Sequence, residues 1–82
     1  MFIQSSRDRI IDFATKVADE EAVVSREEFN RIFKVYSKYE KYLEEHDLTN
    51  GEVDVAIRII REAYEHRMKK HLFIEDVRGY EN

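Results

Sequence analysis

Residues 49–71 read TNGEVDVAIRIIREAYEHRMKKH, and the fold follows from how their apolar side chains are spaced. With successive residues about 100° apart, Val53, Ala56, Ile57, Ile60, Ala63, Tyr64 and Met68 fall on one helical stripe, and Val55 and Ile59 widen it past the usual amphipathic arc. A helix apolar over more than half its girth calls for two neighbours. The opposite face carries Asp54, Arg58, Arg61, Glu62, Glu65 and Lys69, whose oppositely charged i,i+4 pairs suit a solvated surface. Thr49 with Glu52 forms a T-x-x-E capping box, and Leu48 can staple onto Val53. Arg67, Lys69, Lys70 and His71 then place positive charge at the carbonyl end. The pattern predicts a helix over 50–71.

Working outward, the same start signal recurs at Ser25, which forms an S-x-x-E box with Glu28 while Val24 can staple onto Phe29. Phe29, Ile32, Tyr36, Tyr39 and Leu43 keep a 3-4-3-4 spacing, with Phe33 and Val35 flanking it, and predict a helix over 26–46. The seam is too short for a long coiled coil and is read as packing on the third helix; the alternative is a dimer seam between two copies. A turn at 46–48 makes these helices an antiparallel hairpin, with Glu44 and Glu45 near the start of the third helix and Arg67 and Lys70 near Glu27 and Glu28.

A first helix over 6–20 is capped by Ser5 or Ser6 and carries a stripe of Ile10, Phe13, Ala14, Val17 and Ala18, with Ile11 at its edge. A break is expected between Glu21 and Val24, where acidic residues oppose a helix C-terminus. Residues 72–82, LFIEDVRGYEN, are too apolar for a free tail, and either fold back or dock on something else. The expected fold is all-α: a three-helix bundle on the helix 2/helix 3 hairpin, within one domain, with a short C-terminal segment packed back on it.

At 82 residues only about 60 to 65% of the unfolded surface can be buried, so the core is small and leaves no room for a sizeable ligand cavity. Absence of Cys rules out a disulfide framework and a thiolate metal site, and nothing asks for an oxidising compartment. No run of about 18 apolar residues and no signal-like segment behind Met1 is found, so a cytoplasmic protein with no membrane span is expected. The net charge of −4 disfavours non-specific binding to nucleic acid or anionic lipid.

Catalytic and metal-binding patterns are weak. His46, His66 and His71 lack ligand spacing, with Glu62 and His66 the only same-face pair. A calcium-loop reading of HDLTNGEVD fails, because it puts His46 and Leu48 at carboxylate positions and Ile57 at the bidentate position. All-α nucleotide pyrophosphatases hold magnesium with paired acidic clusters. Glu40, Glu44 and Glu45 facing Glu52 and Asp54 come nearest to that, but without an E-x-x-E-D cluster. A helix-turn-helix would have to read bases with Arg58 and Arg61, each of which has an acidic partner in register. No catalytic residue, metal or cofactor is assigned. Glu40 falls on the buried side of the wheel, where it is expected to snorkel out or pair with Arg58 or a tyrosine hydroxyl.

The aromatic residues are more informative. Tyr36, Tyr39 and Tyr42 wind down one flank of the second helix, in a chain of 5 Tyr and no Trp. Tyr suits a buried ring with a wet hydroxyl, as at a protein interface. The expected binding residues are Tyr36, Tyr39, Tyr42, Phe73 and Tyr80. In size and composition the chain resembles the small host-directed effectors of bacteriophages, a likeness of character and not of motif. The expected function is a non-enzymatic protein-binding or regulatory module whose partner is another protein. The alternatives are a homodimeric assembly domain, a magnesium-dependent nucleotide hydrolase and a DNA-binding helix-turn-helix.

Overall fold

The Ser25 box closes in both directions: the Ser25 hydroxyl accepts from the Glu28 amide at 3.1 Å, and the Glu28 carboxylate accepts from the Ser25 amide at 2.7 Å. In the computed structural model, which describes the backbone of residues 2–80 and the side chains of residues 4–77, this cap opens one of four helices. They are α1 (Phe2–Ala18), α2 (Arg26–Glu45), α3 (Gly51–Lys70) and α4 (Ile74–Tyr80). No strand occurs among the described residues.

The amide bond from Ser25, with Lys16 nearby at 3.5 Å, holds the Glu28 carboxyl below its ordinary value of 4.5. A carboxyl more acidic in the folded chain contributes stability above its unfolded pKa and loses it as pH falls through the folded one. Glu28→Gln keeps an acceptor but removes the charge. Its cost at neutral pH is expected to be less than about 1 kcal/mol for so exposed a group, and to diminish in urea denaturation as pH falls below the ordinary carboxyl range. An equal cost above and below that range would contradict this account of the cap.

Two start signals resolve differently from the sequence reading. α3 is capped by Asn50, whose side chain accepts from the Val53 amide at 3.2 Å, and not by Thr49. Glu52, freed from the expected box, pairs with Arg7 on α1 at 2.8 Å. α1 begins at Phe2, so Ser5 and Ser6 lie inside it and Ser6 is buried. Serine costs a helix only a few tenths of a kcal/mol, so a possible cap is not an obligatory start.

The helices form a three-helix bundle on an antiparallel α2/α3 hairpin, elongated to 49 × 18 × 18 Å. α1 runs parallel to α3, from the Arg7–Glu52 ion pair at one end to the contact between Arg67 and the Val17 carbonyl at the other. α1 is the closer neighbour of α3 because Ala14 and Ala56 let the two backbones approach. Across the hairpin, rings hold α2 further off: Phe33 meets Tyr64 at 5.6 Å and the Tyr36 ring lies under the Arg61 guanidinium at 5.6 Å.

At the far end Phe29, 0% exposed, is the hub of an aromatic cluster, 5.1 Å from Phe13, 5.3 Å from Tyr64 and 5.7 Å from Phe73 between ring centroids. The C-terminal segment folds back onto this end. Phe73 fills the core, the Ile74 amide donates to the Val24 carbonyl at 3.0 Å, and the Glu75 carboxylate accepts from the Arg26 amide at the start of α2. An acid at that position complements the positive end of the helix, and the Arg26 guanidinium covers the Phe73 ring at 4.8 Å. This tail therefore serves the fold.

Candidate functional site

The tyrosines of α2 do not make one surface. Tyr39 is buried, and its hydroxyl accepts from the Asn50 side chain at 3.0 Å, tying the middle of α2 to the cap of α3. Tyr36 is half-buried and donates to Glu40 at 2.9 Å. Burial pushes its hydroxyl above the ordinary value of 10.0 and the bond to Glu40 adds to the effect, so this donor stays protonated. Tyr42 stacks on His46 with ring centroids 4.1 Å apart at the end of α2. Phe73 is 0% exposed. Tyr39 and Phe73 are thus core residues and not contact residues, and the Tyr80 side chain lies outside the described residues. Glu40 is exposed and takes the tyrosine-hydroxyl option. In the seam of α2, Phe29, Ile32 and Tyr39 are buried, with Tyr36 and Leu43 packed against the same core, which leaves no free dimer seam there.

The acidic residues of the hairpin are spread rather than gathered. Glu40, Glu44 and Asp54 share the rim of a cleft of about 170 Å³ beside Tyr36 and Asn50, whereas Glu52 is engaged by Arg7. Among the described residues no three His, Asp or Glu side chains converge as a metal site. Arg61 lies over the Tyr36 ring, which draws it into the α2/α3 contact.

Arg67 is placed quite differently from the surface position near Glu27 expected of it. It is 1% exposed and reaches under the end of α1. There it donates to the carbonyls of Asp19 and Ala22 at 3.0 and 3.1 Å, and more weakly to those of Val17 and Ala63, both at 3.4 Å. The last carbonyls of a helix lack intrahelical donors and carry partial negative charge, so the guanidinium serves Val17 at the end of α1 and, with its two shorter bonds, the carbonyls of the turn that follows. Its ring-facing side lies 5.9 Å from the Phe29 centroid. Burial pulls its pKa below the ordinary value, while Asp19 and Glu20 act the other way. With no exposed surface, this cation locks the fold and is closed to a ligand.

Val23, Leu48, Met68, Leu72 and Val77 are exposed at scattered positions, whereas an apolar groove lies between α1 and α3, on the side away from α2. Val55, expected to be covered by a second neighbour, is 51% exposed. With Ile11, Ala14, Ala18, Ala56 and Ile59 it lines a groove of about 520 Å³. The groove continues along the same two helices past Glu62, Ala63 and His66, with Glu20 on the facing wall. Alanines form the floor and branched side chains the walls, so the groove has the shape to take a helix laid along it. The sequence carried a signal for it in the over-wide apolar arc of α3 and in Ile11 at the edge of the α1 stripe. No family model, curated protein or solved structure matches the chain, so the functional reading rests on this surface.

Proposed function

We propose that the chain is a small non-enzymatic protein-binding module of the regulatory or effector type, and that it docks its partner in the α1/α3 groove. The exposed apolar wall of Val55 and Ile59 above the Ala14 and Ala56 floor carries this reading. An amphipathic partner helix laid along the groove would complete a four-helix arrangement over these branched side chains. A cytoplasmic setting accords with the cysteine-free sequence, and none of the helices searched is long and apolar enough to cross a membrane.

The test is a tagged pull-down from nuclease-treated lysate, comparing the wild-type chain with Val55→Glu. Because Val55 is half exposed, the substitution is expected to change stability by less than about 0.5 kcal/mol. It places a charge in the groove, and a stoichiometric protein captured by the wild type is expected to be lost. Retention of that protein at wild-type yield by Val55→Glu would refute the groove as the docking surface.

A further inference from the structure

Residues 72–77 are held at the aromatic end of the bundle by three kinds of contact. The Phe73 ring lies 5.7 Å from Phe29 and 5.4 Å from Tyr64, under the Arg26 guanidinium. The Ile74 amide donates to the Val24 carbonyl at 3.0 Å. Both oxygens of Glu75 accept from the Arg26 amide, at 3.1 and 3.0 Å, in the first turn of α2. A pocket for one aromatic side chain, a main-chain hydrogen bond and an acid on a helix N-terminus are also the means by which a folded domain holds a short peptide. We propose that this pocket is a recognition site for a segment with a phenylalanine two residues before an acid, and that the chain's own residues 72–77 occupy it as a releasable latch.

Several features favour release. His71, where the segment leaves α3, sits at φ 56 in the left-handed region, which a non-glycine residue enters at a cost that opening relieves. One carboxylate oxygen of Asp76 is buried with no hydrogen-bond partner among the described residues, and opening returns it to water. Arg26 and Glu75 are both exposed, so water competes for the bond between them. Against these stands one fully buried anchor, the Phe73 ring. The pocket does not depend on that anchor for its walls, because Phe29 keeps Phe13, Phe33 and Tyr64 as neighbours.

The present occupant defines the ligand. An edge-to-face contact with Phe29 and a guanidinium over the ring both select an aromatic side chain over an aliphatic one. The unpaired amide of a helix first turn selects a carboxylate. Glu27 and Glu28 of the same turn are engaged by Arg31 and Lys16, which moderates their repulsion of an incoming acid. The single residue between Phe73 and Glu75 supplies the amide that reaches Val24, so the spacing is part of the motif. None of these residues lines the α1/α3 groove, and the two sites stand or fall separately.

Two measurements on the full chain test the latch. In native-state amide exchange, Ile74 is expected to exchange at least about 100-fold faster than Ile60, because the latch opens without unfolding the bundle. In the second, a synthetic peptide of residues 72–77, LFIEDV, is titrated into ¹⁵N-labelled Phe73→Ala, whose own latch lacks its anchor, and into the wild-type chain. Shifts at Arg26, Phe29 and Tyr64 are expected in Phe73→Ala, with an affinity about tenfold above that of the wild type, where the tethered segment competes. The same peptide with alanine for phenylalanine is expected to leave those amides unmoved. Equal exchange at Ile74 and Ile60, no shifts in a folded Phe73→Ala, or equal affinity for the two chains overturns the proposal. Should Phe73→Ala not fold, Glu75→Lys sets a cation against the N-terminus of α2 and is expected to speed Ile74 exchange about fivefold with Ile60 unchanged; an unaltered Ile74 rate in that variant overturns the proposal as well.

Discussion

Phe29→Ala is expected to lower the free energy of unfolding by about 3 to 5 kcal/mol, the largest effect of any single apolar truncation in the chain. Phe29 is 0% exposed and contacts rings from every part of the bundle: Phe13 of α1, Phe33 beside it on α2, Tyr64 of α3 and Phe73 ahead of α4. Its contacts with Phe13, Tyr64 and Phe73 are edge-to-face, the arrangement the ring quadrupole favours. Removing the hub withdraws apolar area from three neighbours at once, and rings held from three directions cannot collapse into the gap as a single side chain could. For a chain of this size the loss approaches the whole of a typical stability of about 5 to 10 kcal/mol. Urea denaturation followed by circular dichroism measures it. Should Phe29→Ala not fold, Phe29→Leu keeps most of the volume and is expected to cost about 1.5 kcal/mol. A cost below about 1 kcal/mol for the alanine variant would mean that the cluster does not hold the helices together.

Arg67→Met is expected to cost about 2 to 4 kcal/mol, although it replaces a buried charge with an apolar chain of similar length. Exchanging a whole buried ion pair for hydrophobic residues is often neutral or stabilising, because both charges lose their desolvation penalty together. Here the acceptors are main-chain carbonyls of Val17, Asp19 and Ala22, which no substitution can remove. Methionine would take this donor from the Val17 and Ala22 carbonyls, while Asp19 keeps the Ala22 amide at 3.1 Å, and the penalty is expected to outweigh the recovered desolvation of the guanidinium. The consequence is local as well as global. Amide exchange of Arg67→Met should rise most over residues 19–24, where the chain turns from α1 into α2. Arg67→Lys supplies one point charge for a planar fork and is expected to recover only part of the loss. Wild-type stability in Arg67→Met would show that the α1 carbonyls are adequately served by water, and the cation would then need another explanation.

What could be read from the sequence was what is local. The Ser25/Glu28 box depends on residues three apart, and its partners cannot be anywhere else. Helix periodicity likewise placed Val53, Ala56, Ile57 and Ile60 in the core before any neighbour was known. Thr49 and Asn50 are both good caps, and the choice fell to Asn50 because its amide also reaches Tyr39 across the hairpin. Arg67 falls in the centre of the buried stripe, four residues after Ala63 and seven after Ile60. A charge there is an anomaly visible on the wheel, yet its nearest partners are main-chain carbonyls of the turn after α1, which no residue identity announces. Tyr39 and Phe73 show the matching difficulty. An aromatic residue has the same composition signal at an interface as in a core, and only packing tells the two apart. The groove was half legible: the arc of α3 asked for two neighbours, and α1 and α2 together leave Val55 and part of Ile59 uncovered.

The most direct test of that surface is a two-dimensional ¹H–¹⁵N spectrum of the full chain recorded with and without the protein it captures from lysate. Shifts on adding that protein are predicted at Ile11, Thr15, Ala18, Val55, Ile59 and His66, with Tyr36, Tyr42 and Glu40 on the far side of the bundle unmoved. Shifts gathered on the α2 flank instead, or a spectrum that the captured protein leaves unchanged, would contradict docking in the α1/α3 groove.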